Sequence, residues 1–151
     1  MTLLIENATV VTFDHEARVF ERGAVLIDSE GRIAELGEGV VAPAEAPRYD
    51  AGGRMLIPGL INAHHHLYST LARGFAPAGP TRSFPEILSS LWWPLDAALE
   101  LEDIRVSAEL ALLSSLRCGV TTVVDHHASL GAVSGSLDAI ADAAATVGLR
   151  I

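Results

Sequence analysis

The sequence predicts an α/β protein, in which a small β-rich N-terminal segment precedes parallel strands that alternate with helices. Residues 1 to 57 contain short apolar runs separated by turns, whereas residues 58 to 151 follow the order strand, loop, helices, strand, loop, helix, strand. Strands alternating with helices indicate a parallel sheet with helical crossovers. The chain has 151 residues and is 50% hydrophobic, which is enough to bury a sizeable core.

The N-terminal segment contains four short β-rich runs. Strands are predicted at 3–5, 9–13, 24–28 and 32–36. Val40 to Asp50 contains two prolines and is predicted to be a loop. Gly52 and Gly53 form a tight turn that leads into the next apolar run. Most of these strands alternate polar and apolar residues, as expected for a small β-domain.

The second segment has longer elements with clearer start and stop signals. Strands are predicted at 60–64, 120–125 and 149–151, helices at 84–99, 102–117 and 137–147, and a loop over 67–83. Ser83 and Ser136 are the predicted N-caps of the first and third helices. Gly119 and Gly148 stand where helix C-terminal stops are expected. Pro94 is predicted to kink or divide the first helix, and the strand at 60–64 is predicted to be buried.

Composition excludes several classes of function. The net charge is −9 and no basic patch appears, which argues against a nucleic-acid partner. The chain has no lysine, so a lysine nucleophile or a carboxylated-lysine metal bridge is excluded within these residues. Cys118 is the single cysteine, which fits a reducing compartment, and it is predicted to be a small buried residue. No signal peptide and no apolar run of ~20 residues is found, so a cytoplasmic protein without a membrane partner is predicted.

The most informative motif is the histidine cluster at 64–66, at the end of an apolar strand. Side chains at i and i+2 of a strand point to the same face, so His64 and His66 can converge on one point while His65 faces the other way. A transition metal is the usual occupant of such a point. The alternative is a polar strand end whose histidines only contact water.

A second polar cluster, Asp125-His126-His127, also follows a predicted strand. Active sites gather at the C-terminal ends of parallel strands, so substrate contact or support of a metal is predicted for these three residues. The alternative is a polar rim that bonds the neighbouring loop. Alternation means that His126 and His127 cannot both point inward.

Arg73 and the two tryptophans each allow two interpretations, whereas His15 allows one. Arg73 follows the first strand and is predicted to bind a substrate anion or to form a salt bridge. Trp92 and Trp93 either wall a substrate pocket or, as is commoner on a helix, pack in the core. His15 is predicted to be a solvated loop residue.

The run from Met55 to His66 resembles the start of the amidohydrolase superfamily, and more narrowly its deaminase and chlorohydrolase branch. The segments 66–69, 71–74, 91–96 and 125–129 are similar to aminohydrolases of the SsnA type. The 8-oxoguanine deaminases share the triple histidine and the nearby tyrosine. The resemblance covers the whole chain.

The resemblance implies an incomplete fold. Residues 1–57 would be the N-terminal part of a composite β-sandwich, and residues 58–151 would be the first two βα units of a (β/α)8 TIM-type barrel, ending near the third strand. A complete barrel takes about 250 residues. The resemblance implies one divalent metal, zinc or alternatively iron, with His64 and His66 as ligands. The remaining ligands and the acid-base residue follow later strands, so no catalytic residue is expected within this chain.

The implied activity is metal-dependent hydrolysis of a carbon–nitrogen bond other than a peptide bond, most simply deamination of a small amino-bearing heterocycle. The metal would lower the pKa of a bound water to make the nucleophile. The 151-residue chain itself is expected to be inactive, because catalytic zinc normally takes three protein ligands and water. For the full-length form, a homo-oligomer is an open alternative to a monomer. The rival interpretations are a non-catalytic metal-binding module and one half of a two-chain assembly.

Overall fold

The computed structural model describes residues 2–151, and the chain divides into two compact units, Met1–Pro58 and Gly59–Ile151. In the described residues, each helix is too short or too polar to pass through a lipid bilayer.

The first unit is a five-stranded sheet. Its strands are β1 (Leu3–Val11), β2 (Val19–Ile27), β3 (Ile33–Gly37), β4 (Arg48–Asp50) and β5 (Met55–Leu56). The order is β3-β2-β1-β4, and β5 also pairs with β1. The pairs β1–β2 and β2–β3 are antiparallel, whereas β4 and β5 run parallel to β1.

The two predicted strands at 3–5 and 9–13 are one continuous strand, β1, with an irregularity at Asn7. This residue has a φ of 55°, and its side chain donates a hydrogen bond to Asp50 Oδ1 at 2.8 Å. The irregularity shifts the alternation, so Leu4 packs in one apolar cluster while Ala8 and Val10 pack in another. The predicted loop at 40–50 was wrong at its end, because β4 forms there by pairing with β1.

The second unit contains a parallel pair of strands and four α-helices. Its elements are β6 (Leu60–His65), a 3₁₀ helix (Leu67–Ala72), α1 (Phe84–Ile87), a π-helical turn (Leu88–Trp92), α2 (Trp93–Ala98), α3 (Leu101–Arg117), β7 (Val120–Asp125) and α4 (Ser136–Val147). β6 and β7 are parallel, as the alternation of strands and helices predicts. After α4, Arg150 forms a parallel bridge with Thr122, where a further strand was predicted.

As predicted, the helical segment is divided at Pro94: a π-helical turn, Leu88–Trp92, separates α1 from α2, whose second residue is the proline. Four residues earlier in the chain, the Ser90 carbonyl cannot receive an N–H from Pro94, since proline has none. That carbonyl instead accepts a hydrogen bond from Ala78 N–H at 2.8 Å. The turn just before the proline is π-helical, which widens the helix where the ring would otherwise clash. The chain therefore continues directly into α2.

Helix α3 supplies much of the core of this unit. Glu100 and Asp103 form a reciprocal capping box at its start. Its buried stripe includes Ile104, Ala108 and Leu112, which pack with Leu67, Val123 and Ile140. Leu116, four residues after Leu112, is 44% exposed, because the twelve residues between Ile104 and Leu116 carry it about 120° around the helix and off the stripe.

Several local predictions are confirmed and others are corrected. The Ser83 hydroxyl accepts a hydrogen bond from Glu86 N–H as an N-cap, and Gly119 and Gly148 have the positive φ of helix stops. Gly135, not Ser136, is the residue before α4, and Ser136 is its first helical residue.

Burial differs from prediction at two places. Cys118 is exposed rather than buried, because it is the C-cap residue that follows α3 and lies beyond the buried stripe. Strand β6 is largely exposed: Leu60 is 46% and Ile61 68% accessible, since β7 is the sole partner of β6 within residues 2–151.

Candidate metal centre

His64 and His66 converge at the C-terminal end of β6. Their Nε2 atoms are 3.1 Å apart and their rings meet edge to face, with centroids separated by 4.9 Å. Two imidazole nitrogens that share a tetrahedral zinc at bond lengths of about 2.0–2.1 Å stand roughly 3.3 Å apart. The two nitrogens therefore have the spacing and the chemistry of a ligand pair for a divalent metal.

The orientation of His66 depends on the end of the neighbouring strand. Its Nδ1 lies 3.0 Å from the backbone carbonyl oxygen of His126. A carbonyl can only accept, so Nδ1 holds the ring proton and the Nε2 lone pair faces His64. In metalloproteins, this outer hydrogen bond is the usual device for orienting a histidine ligand.

The predicted site residues of the second cluster have different surroundings. Asp125 is half-buried, and its Oδ1 accepts a hydrogen bond from Leu67 N–H at 2.8 Å. The His126 side chain is exposed, and its ring centroid is 5.1 Å from that of His66. The His127 ring packs edge to face on Tyr68, and both of its nitrogens are buried without a hydrogen-bond partner among residues 2–151. Arg73 is exposed, and it forms none of the ion pairs of residues 2–151, so the salt bridge offered as its alternative does not form there.

Sequence reasoning missed Asp96, which lies in the first turn of α2 and is 5% exposed. Its carboxylate interacts with the Tyr68 hydroxyl, and its Oδ1 is buried without a hydrogen-bond partner among the described residues. The only sequence signal is a single acidic residue directly after the apolar run 91–95. A buried acid of this kind is a feature of functional sites and of structural networks alike.

Burial shifts the pKa values of three side chains in this region. It raises the pKa of Asp96, although the Tyr68 hydroxyl and the nearby rings of His127 and His66 oppose the shift. Burial, and then the hydrogen bond with Asp96, raises the pKa of Tyr68. Burial lowers the pKa of His127 against the opposing charges of Asp125 and Asp96. The region therefore favours neutral forms of its titratable groups.

A cavity of about 300 Å³ opens beside His66. Its apolar wall includes Phe84, Leu88, Trp92 and Trp93, and its polar lining includes His66, Tyr68, Asp96 and His126. The Trp92 ring centroid is 6.3 Å from that of His66, with the planes tilted by 32°. The expectation of core packing for the tryptophans was wrong, since both line the cavity and Trp93 is 53% exposed.

Within the part of the chain that the structure describes, no group of three or more histidine, cysteine or acidic side chains converges to hold a metal. His64 and His66 thus provide two donors, whereas a catalytic zinc site normally uses three protein ligands.

The chain is similar to known proteins over most of its length. Residues 55–151 match the model of the amidohydrolase family. A 5-methylthioadenosine/S-adenosylhomocysteine deaminase of Pyrococcus furiosus is 36% identical over 148 residues, which cover 98% of this chain and 32% of that protein. An 8-oxoguanine deaminase of Pseudomonas aeruginosa is 34% identical over 128 residues, covering 83% of this chain and 28% of that protein.

A solved structure is similar as well. The atrazine chlorohydrolase TrzN of Arthrobacter aurescens, complexed with zinc, superimposes with a TM-score of 0.78 at 31% identity, covering 98% of this chain and 34% of that one. The chain thus spans about a third of the length of the proteins it matches. Because the family match includes both converging histidines and extends over most of the sequence, the chain belongs to the amidohydrolase family.

Proposed function

We propose that this chain forms the N-terminal third of a metal-dependent aminohydrolase. Residues 58–151 would be the first two βα units of a (β/α)8 barrel, and residues 1–57 would belong to a composite β-sandwich. The observation that carries the proposal is the 3.1 Å approach of the His64 and His66 Nε2 atoms at a strand end. The family match over residues 55–151 supports it.

His64 and His66 would hold a divalent metal, and zinc is favoured over iron because the chlorohydrolase structure contains zinc. When bound, such an ion supplies a hydroxide nucleophile near neutral pH by lowering the pKa of water. Neutral imidazoles suit this role because they bind the ion without cancelling its charge. Neither histidine acts as the general base, since both ring nitrogens that face the site are committed to the metal.

The cavity beside His66 favours a flat, amino-bearing heterocycle as substrate. Its volume of about 300 Å³ and the indole of Trp92 suit an aromatic ring held next to the metal. The relatives named above act on adenosine derivatives, 8-oxoguanine and atrazine, according to their names. Among the polar residues, His126 is the better candidate for substrate contact, since it lines this cavity while the His127 nitrogens are buried.

Complete catalysis would need donors and an acid-base group from residues beyond the two histidines. The proposal can be tested with a chimera in which residues 1–151 replace the matched segment of the Pyrococcus furiosus deaminase. The chimera is expected to bind about one zinc per chain and to release ammonia from 5′-methylthioadenosine. His64→Ala and His66→Ala should each remove most of the metal and the turnover, whereas His15→Ala, at an exposed loop position, should change neither.

A second measurement keeps the test decisive if the chimera does not fold. Zn²⁺ titrated into the 151-residue chain should shift the imidazole NMR signals of His64 and His66 while leaving those of His15 and His127 in place. Zinc binding and turnover that survive both alanine substitutions would overturn the proposal. Robust deamination by the 151-residue chain alone would contradict the expectation that it needs further strands.

A further inference from the structure

The end of β7 holds the end of β6 through three hydrogen bonds to three successive residues. His126 N–H donates to the His65 carbonyl at 2.8 Å, and His66 Nδ1 contacts the His126 carbonyl at 3.0 Å. Asp125 Oδ1 accepts from Leu67 N–H at 2.8 Å. We call these three contacts the 125–126 clamp. One of them fixes a side chain, and the other two fix the backbone on either side of it.

Asp125 performs the task of an N-cap from a different strand. Leu67 is the first residue of the 3₁₀ helix, and His66, at its N-cap position, makes no side-chain cap of its own. The Leu67 N–H is one of the donors that a helix start leaves unpaired. The Asp125 carboxylate satisfies it and thereby holds the backbone of His66 where its ring reaches the His126 carbonyl.

The clamp has a consequence for the protonation of the metal-free pair. His66 donates from Nδ1, so its Nε2 bears a lone pair. The 3.1 Å contact between the two Nε2 atoms then requires His64 to donate from Nε2. The two histidines should therefore be opposite tautomers, with only His66 already in the form that binds a metal through Nε2.

We propose that Asp125 is a positioning residue, which acts through Leu67 and the His126 peptide to fix the ring direction and tautomer of His66. The inference rests on the proposed function in one respect, namely that His66 is a metal ligand. It differs from the substrate contact predicted for Asp125, because a substrate contact would leave the His66 tautomer unchanged when Asp125 is replaced.

The rest of the fold should tolerate loss of the Asp125 carboxylate. Ser107, which is 1% exposed on α3, donates to the Leu67 carbonyl at 3.0 Å and accepts from Leu71 N–H at 3.2 Å. The 3₁₀ helix is therefore attached to α3 independently of Asp125. Replacement of Asp125 should loosen the His66 end without detaching the helix.

The test is ¹⁵N NMR of the imidazoles in the metal-free 151-residue chain at mildly alkaline pH. Wild type should show His66 protonated at Nδ1 and His64 at Nε2. Asp125→Ala should give His66 a mixture of tautomers. Asp125→Asn keeps an oxygen that can accept from Leu67 N–H, so it should retain the wild-type pattern. His126→Ala should retain it as well, because the acceptor is the peptide oxygen.

Asp142→Ala is the matched control, since it removes an exposed carboxylate on α4 far from the clamp in sequence. An unchanged His66 tautomer in a folded Asp125→Ala chain would overturn the proposal. So would an Asp125→Asn variant as disturbed as Asp125→Ala, because the retained oxygen should rescue the contact. If Asp125→Ala does not fold, Asp125→Leu takes its place, because leucine also lacks an acceptor for Leu67 N–H but fills the space of the aspartate. Asp125→Leu should likewise give His66 a mixture of tautomers, and an unchanged tautomer in that variant would overturn the proposal.

Metal affinity gives a second readout. Loss of a hydrogen-bond partner behind a histidine ligand costs about 10- to 100-fold in metal affinity. Asp125→Ala in the chimera should show a zinc affinity reduced by this factor, and Asp125→Asn should not. If the alanine variants of His64 and His66 retain zinc, the proposed function fails while the tautomer result stands. If those variants lose zinc but Asp125→Ala changes neither tautomer nor affinity, only the role of Asp125 fails.

Discussion

At the scale of single residues, His127 has surroundings that disfavour the charged form of its ring. Its ring packs on Tyr68 at a centroid distance of 5.1 Å, and neither buried nitrogen has a hydrogen-bond partner in the part of the chain that the structure describes. Burial lowers its pKa from the ordinary value of 6.5, although Asp125 and Asp96 pull in the other direction. Protonation of this ring in the folded state is therefore disfavoured, and folding stability becomes linked to pH.

The sign of that linkage follows from the lowered pKa. Between the lowered value and 6.5 the unfolded chain binds a proton that the folded chain does not, so the contribution of His127 to stability is complete above pH 6.5 and declines on acidification. His127→Phe keeps an aromatic ring and removes the titration. Its free energy of unfolding, measured by urea denaturation at several pH values, should decline less below pH 6.5, by at most about 1.4 kcal/mol per pH unit.

Asp96 has the opposite effect on the pH dependence of folding stability. Because its pKa is raised in the folded chain, its contribution to the free energy of unfolding declines as the pH rises from 3.8 to that raised value. Asp96 is present in both wild type and His127→Phe, but the His127 ring lowers the pKa of Asp96, so its loss should raise that pKa further and extend the Asp96 effect to higher pH in the variant. His15→Phe is the control, as the His15 side chain is 90% exposed. If the free energy of unfolding varied with pH in the same way in wild type and His127→Phe, the assignment of this pH dependence to His127 would be contradicted.

At the scale of elements, the close approach of β6 and β7 depends on glycine at position 59. A Cβ built there would lie 2.2 Å from Thr121 Cγ2 and 2.8 Å from Thr121 Cβ. The Thr121 Cβ is attached to the backbone and cannot rotate away. A side chain at position 59 would therefore push apart the two strands that position His66 and the 125–126 clamp.

Gly59→Ala should reduce the free energy of unfolding by about 1–3 kcal/mol, the usual cost of overpacking. Gly79→Ala is the matched control, because a Cβ at Gly79 meets Ser90 Cβ at an ordinary 3.5 Å. The free energy of unfolding of Gly79→Ala should stay within about 0.5 kcal/mol of the wild-type value. Chemical denaturation followed by circular dichroism measures both, and equal stabilities of the two variants would show that the strands can separate without cost.

At the scale of the whole molecule, apolar side chains remain exposed on the β6–β7 pair. Ile61 is 68% and Val124 is 55% exposed, whereas Val123, the neighbour of Val124, is 1% exposed in the core. One face of the pair thus packs on the helices and the other is uncovered within the described residues. Exposed apolar patches and open strand edges favour association.

The 151-residue chain should therefore self-associate with increasing concentration in sedimentation velocity. The double substitution Ile61→Thr and Val124→Thr, which retains β-branched residues, should lower the associated fraction. Val41→Thr is the control, because Val41 is 80% exposed but lies in a loop of the first unit. If the wild-type chain remained monomeric at high concentration, the uncovered face of the β6–β7 pair would not mediate association.

Local patterns predicted the elements whose signals lie close together in sequence. The strand at 120–125 and the helix at 102–117 follow from β-branched runs, apolar spacing and a terminal glycine, and the structure has β7 and α3 there within one residue. Strand β4 was missed, because three residues after a proline have no periodicity and form a strand only by pairing with β1, more than forty residues earlier.

The sequence alone determined that His64 and His66 share a face, because alternation along a strand is a property of the covalent backbone. Only the tertiary structure decided which tautomer His66 adopts and which donor Asp125 accepts from, since those partners are separated by 60 and 58 residues along the chain. It likewise decided that Asp96 is buried beside Tyr68. The physical reason is that a hydrogen bond between distant residues depends on how parallel strands and their crossover helices pack, which no local pattern encodes.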